Sequence, residues 1–160
     1  EQSKIWALAG NRDPGGHGLS RAGLVYYVSR RIEVIHDSEL AAINCRYVRV
    51  HDEAGVFVQG AVRAGLDYAT KHNVINWIVD VADQVDAMSE SDQVWENSPA
   101  FLQLFRDSAI RNILLVTAPS ADQDNNAGAR IWAADFAAEL GADFRVGVAS
   151  SVAETKEFFL

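Results

Sequence analysis

Cysteine occurs once in the 160 residues, as Cys45. A single thiol excludes an intrachain disulfide and a multi-thiolate metal site, and it suits a reducing cytoplasm. Cations are also scarce, with 14 Lys and Arg against 22 Asp and Glu, a formal net charge of -8. That balance opposes binding to nucleic acid or to an anionic membrane surface, and Arg30-Arg31 is only a pair, not a basic cluster. No apolar run approaches the roughly 20 residues needed to span a bilayer, which argues against membrane insertion. The opening EQSKIWALAGNRDPGGHG has neither a basic start nor a signal-like apolar core. It also lacks an initiator Met, so an upstream portion or leader is expected. A cytoplasmic protein follows as the expectation.

What remains is ordinary globular material, 49% hydrophobic and 9% aromatic, enough for one domain with a sizeable core. Five of the 11 glycines (Gly10, Gly15, Gly16, Gly18 and Gly23) crowd the start beside Asp13-Pro14. Residues 1–23 therefore read as a flexible or irregular arm, and 24–160 as the domain. Leu24 to Val28 and Ile32 to Ile35 carry β-branched and aromatic residues, and Asp37-Ser38-Glu39 reads as a turn. Ile43, Cys45 and Tyr47 alternate with Asn44, Arg46 and Val48, the period of a strand with unlike faces. A helix follows from a cap near Asp52 to Lys71-His72, with Val58, Val62, Leu66 and Ala69 along one stripe. Val74 to Val81 has the nearly continuous apolar character of a strand buried on both faces.

A second helix starts near Ser89 or Ser91 and restarts at Ser98-Pro99, an N-cap followed by Pro at the first helical position. Ile113 to Val116 is a further strand, Asn125 to Leu140 an Ala-rich helix stopped by Gly141, and Phe144, Val146 and Val148 alternate as the last strand. Ser151 to Leu160 closes the chain as a short helix. Strand and helix alternate after an opening hairpin, which predicts an α/β fold with a mostly parallel sheet and right-handed crossovers.

Chemistry is harder to find. At the central junction, WIVDVADQVDAMSESDQVW, three aspartates recur every third residue (Asp80, Asp83 and Asp86) before two serines. Hard cations want converging oxygens, so a metal or phosphoacceptor role is one reading of the aspartates. Ser89-x-x-Asp92 has the form of a helix cap, and a phosphoserine at a helix start is the functional alternative. A receiver-like reading takes Asp80 as acceptor and Thr117 as the following hydroxyl. It lacks the second acid beside Asp37, where His36 stands, and the lysine after the last strand, where Val148-Ala149 stand. The spacing GNRDPGG lacks the Lys and hydroxyl of a phosphate loop. His17, His36, His51 and His72 fall in no ligand spacing, and Cys45 alternates into the core. No G-x-S-x-G elbow or Ser/His/Asp set can be assembled, so no catalytic residue, metal ligand or cofactor is assigned. Trp77, Trp95, Phe101, Phe105, Trp132 and Phe136 read mainly as core, with Trp95 and Trp132 as candidates to rim an apolar pocket or a dimer face.

Three stretches carry a family resemblance over roughly residues 32–160: IEVIHDSELAAINCRYV, INWIVDVADQVDAMSESDQVW, and RNILLVTAP followed by a helix and FRVGVASSVAETKEFF. In that order they resemble the STAS-like domains related to the sporulation anti-sigma-factor antagonist SpoIIAA. The resemblance implies a mostly parallel sheet with an N-terminal antiparallel hairpin and helices packed against it. It also implies a non-enzymatic bacterial regulatory module that binds a protein partner or a second copy of itself. The family's Asp-Ser-Ser-Gly-like switch falls on Met88-Ser89-Glu90-Ser91, where only Ser89 keeps its identity. Asp83, Asp86, Met88, Ser89, Ser91 and Asp92 are accordingly the expected docking or regulatory residues, without an intact phosphoserine motif. The alternatives are a small-molecule or lipid-binding module of the same fold, and a degenerate receiver-like signalling domain.

Overall fold

The computed structural model describes residues 23–119 and 123–160; the phosphate-loop spacing, His17 and the arm up to residue 22 lie outside them. The domain opens with β1 (Leu24–Val28), β2 (Ile32–Asp37) and β3 (Ala42–Tyr47), then α1 (Val56–His72) and β4 (Asn76–Asp80). The paired helices α2 (Glu90–Glu96) and α3 (Pro99–Arg106) lead to β5 (Asn112–Val116), and α4 (Gln123–Leu140), β6 (Arg145–Ala149) and α5 (Val152–Phe159) complete it. All six strands form one sheet in the order β1-β2-β3-β4-β5-β6. β1 to β3 pair antiparallel, and β3 to β6 pair parallel. The expected α/β class is therefore what the chain adopts, but the sheet is mixed rather than mostly parallel, because three antiparallel strands, not a two-stranded hairpin, open it.

Local chemistry sets the boundaries. Asp52 Oδ2 accepts the backbone N–H groups of Val56 and Phe57, while the turn into α1 passes through Gly55 at φ 69°. Asn73 ends the helix in the left-handed conformation, with Lys71 and His72 in the last turn where the dipole favours cations. Ser98 caps α3 through the Phe101 N–H, and Pro99 follows it.

The strand order decides against the receiver-like alternative. A doubly wound receiver places its strands 2-1-3-4-5 with helices on both faces. Here the segment that would be the receiver's first helix, Ala42–Tyr47, is instead β3, antiparallel to β2.

Because every parallel crossover steps the same way along the sheet, right-handed connections stack their helices on one face. Tyr47, Trp77, Val79, Ile113 and Leu115 point to that face and meet Val62 of α1, Phe101 and Phe105 of α3, and Phe136 of α4. The stripe expected on α1 is buried, joined by Ala61 and Gly65. Gly65 has a spatial reason, since a Cβ there would lie 2.6 Å from the Trp77 ring. The opposite face carries α5, whose Phe158 ring occupies the space a side chain at Gly147 would need. Among the described residues no helix is long and apolar enough to cross a membrane.

Candidate functional site

The central junction separates into distinct structural jobs. Asp80 Oδ1 accepts the Ala82 N–H at 3.0 Å, turning the chain out of β4. Exposed Asp83 pairs with Arg46 at 2.9 Å, and Asp86 accepts the Val50 N–H at 2.7 Å. The three aspartates thus bind three separate partners, and among the described residues no group of three or more His, Cys, Asp or Glu could hold a metal ion.

Ser89 and Asp92, expected on a contact surface, are instead interior, with 1% and 0% exposure. The Ser89 hydroxyl accepts the Asp92 N–H and donates to Asp92 Oδ2, both at 3.3 Å, so capping and burial are the same event. Burial raises the Asp92 pKa, and the nearby side chains of Gln59 and Ser89 offset part of that rise. Asp92 Oδ1 remains buried without a hydrogen bond of acceptable geometry. A phosphate on Ser89 would have to displace this packing. Ser91 lies outside on the same turn, and Met88 is half-buried against the core.

Met88 leads to a feature that the junction alone does not reveal. Between the sheet and the helix layer lies an apolar chamber of about 180 Å³. Its floor is Tyr47, Trp77, Val79, Ile113 and Leu115; Phe101 and Phe105 of α3 form one wall, and Trp132 and Phe136 of α4 another. The rings touch edge to face or tilted: Trp77–Phe105 at 5.5 Å between centroids, Phe101–Phe105 at 5.2 Å, Phe105–Phe136 at 5.8 Å, and Trp132–Phe136 at 5.2 Å. An outer hollow of about 280 Å³ shares Met88, Glu96, Phe101, Trp132 and Phe136 with the chamber and adds Asp135 and Glu139. Trp132, the candidate pocket residue, stands 36% exposed at this mouth. Trp95 does not line either hollow; it packs on Phe101 at 5.0 Å with Arg63 over its ring at 5.5 Å.

Glu96, the last residue of α2, places its carboxyl in this apolar setting. The residue keeps some solvent contact overall, yet its acid group is densely enclosed. Burial, and secondarily the charge of Asp92, pushes its pKa up to about 7. Among the described residues no cation pairs with it within 4 Å. Burial also raises the pKa of the Tyr47 phenol well above its ordinary value and that of the Cys45 thiol, keeping both neutral at physiological pH. Gln84 is the other polar side chain on the chamber lining, and its amide donates to the Asp86 carbonyl at 2.8 Å. An apolar chamber with few polar groups and a carboxyl of perturbed acidity has the composition of a small-molecule site.

Of the two pocket candidates in the sequence, Trp132 lines the chamber and Trp95 does not; Met88 was expected at a docking surface and Phe101, Phe105 and Phe136 in the core, while Glu96, Tyr47 and Gln84 were not anticipated there. The recoverable signal lay in the i, i+4 pairs Phe101/Phe105 and Trp132/Phe136, two aromatic stripes that have to meet something flat. No family model, curated protein or solved structure matches this chain.

Proposed function

We propose that this chain is a STAS-like binding module that holds a small apolar molecule between its sheet and helices α2 to α4. The observation that carries the reading is the aromatic chamber with the enclosed, unpaired Glu96 carboxyl at its rim. A carboxyl kept in apolar surroundings opposes stability, and such groups concentrate at functional sites. The family part of the reading is supported by the element order: opening antiparallel strands, a central strand and loop before a Ser-capped helix, and a short terminal helix after the last strand. Those are the features for which the sequence resembles the STAS-like domains.

Native mass spectrometry of the intact chain tests the proposal with 2-phenylethanol as a one-ring apolar probe. A one-to-one adduct is expected, lost in Val79→Phe, which fills the chamber floor. A folded wild-type chain that takes up no such probe overturns it.

A second reading, docking of a protein partner or a second copy, is favoured by a different observation. Val85 on the junction loop and Val94 on α2 are 61% and 65% exposed, near exposed Asp83 and Ser91. Under this reading Asp83, Asp86, Met88 and Ser91 form the contact surface, and Ser89 shapes it from within through its cap. Paired capture experiments with Val85→Asp and Val94→Asp separate the two readings. Loss of a partner without loss of probe uptake favours docking.

A further inference from the structure

We infer that the chamber is built for a small organic cation, a protonated amine on an apolar body about one ring in size, with its ammonium against the Glu96 carboxylate and its body among Phe101, Phe105, Trp132 and Phe136. This deepens the small-molecule reading of the same pocket and rests on it.

Size comes first. A chamber of about 180 Å³ is slightly larger than the ~150 Å³ apolar cavity that accepts benzene. One ring with a short chain fills it, and the outer hollow leaves room for the polar end to reach Glu96.

Charge comes next. The outer hollow is lined by Glu96, Asp135 and Glu139, and no Lys or Arg lines either hollow among the described residues. Nearby cations are engaged elsewhere: Arg63 lies over Trp95, and Arg106 donates to the Glu139 carbonyl. An anionic ligand would bring its charge beside three carboxylates in a region of reduced dielectric, where like charges repel strongly. A neutral ligand would leave the enclosed carboxyl without an opposite charge. A cation meets both an acid and several ring faces, and ring faces attract ammonium groups.

Glu96 must be ionised to make this pair, so the groups that face it matter. β3 contributes Tyr47 and Cys45, both kept neutral by burial; α2 contributes Asp92; α4 contributes Asp135 and Glu139. α3, β4 and β5 present apolar side chains to the chamber, α1 presents Val62, and the loop after β4 presents Val81, Gln84 and Met88. Glu96 is therefore the chamber group that changes charge near neutrality. An arriving ammonium favours its ionised form and releases a proton when the site starts out protonated.

The test compares three probes of nearly equal size by titration calorimetry at pH 8: 2-phenylethylamine, 2-phenylethanol and phenylacetate. The amine is expected to bind about tenfold tighter than the alcohol or better, as a charge-assisted hydrogen bond supplies, with phenylacetate weakest. The amine's advantage should shrink at pH 6, by up to about tenfold per pH unit below the Glu96 pKa. Glu96→Gln should remove that advantage, so that within the variant the amine and the alcohol bind about equally at both pH values. If that variant does not fold, the pH comparison in the wild-type chain decides. Equal binding of amine and alcohol, or tightest binding of phenylacetate, overturns the cation while the small-molecule reading stands. Binding of no probe overturns both.

Discussion

At Glu96 an ionisable group sits where its charge is disfavoured, and that has a measurable consequence without any ligand. Its folded-state pKa, about 7, lies above the ordinary 4.5. Between those values the folded chain holds a proton that the unfolded chain has released, so the contribution to stability falls as pH rises from about 4.5 to 7 and then levels. Glu96→Gln removes this dependence. The variant should differ little from wild type at pH 5 and gain on the order of 2 kcal/mol over it at pH 8, a figure discounted for the residue's partial solvent contact. Urea midpoints at the two pH values check this, and a gap that does not change with pH would refute the assignment. The sequence hid this residue for a physical reason. An acid between Trp95 and Asn97 on a two-turn helix reads as solvent face, and it becomes enclosed only when β3 and α4, far away in the chain, converge on it. Ser89 shows the complementary case. Its cap is a local interaction and was legible, whereas its burial depends on packing beyond the turn and was not.

Elements were legible wherever a local rule sets them. The alternation of β3, the stripe of α1, the Ser98-Pro99 restart and the Gly141 stop all follow from contacts within a few residues, and their observed positions agree with expectation to within a few residues. Strand order and the choice of face are non-local, so a receiver-like topology stayed open until β2 and β3 were seen to pair antiparallel. Two glycines in helices separate local from tertiary effects. A mid-helix glycine costs roughly 1 kcal/mol relative to alanine. At Gly128 of α4 an added Cβ meets nothing within 4 Å, whereas at Gly65 of α1 it would lie 2.6 Å from Trp77. Gly128→Ala should therefore stabilise by up to about 1 kcal/mol, and Gly65→Ala should destabilise by about 1–3 kcal/mol through overpacking. Thermal unfolding of both variants, with tryptophan emission as the readout for Gly65→Ala, tests the contrast. Stabilisation by Gly65→Ala would mean that α1 does not press on the sheet as described.

The molecule as a whole has a sheet with two unlike faces. One is layered by α1 to α4 and contains the chamber; the other is packed by α5 against β5 and β6, beside a groove of about 630 Å³ lined in part by Asn44, Ile78 and Val116. Because successive residues of a strand point to opposite faces, Leu114 is held from the α5 side while Ile113 and Leu115 floor the chamber. Stability and binding should therefore respond to different substitutions. Phe158 stacks beneath Arg145 at 3.9 Å and fills the space above Gly147, but it is only half-buried. Phe158→Ala should lower stability by about 1–2 kcal/mol, less than the roughly 3–5 kcal/mol of a core phenylalanine, and leave probe uptake intact. Val79→Phe should do the reverse, abolishing uptake while keeping a cooperative fold. Urea titrations and calorimetry on both variants read the two quantities independently. If folded Phe158→Ala lost the probe, the two faces would be coupled through the strands they share, and the chamber could not be treated as a site confined to the helix side. If the faces prove independent, α5 is a stability element and uptake is governed by the helix-side residues that line the chamber.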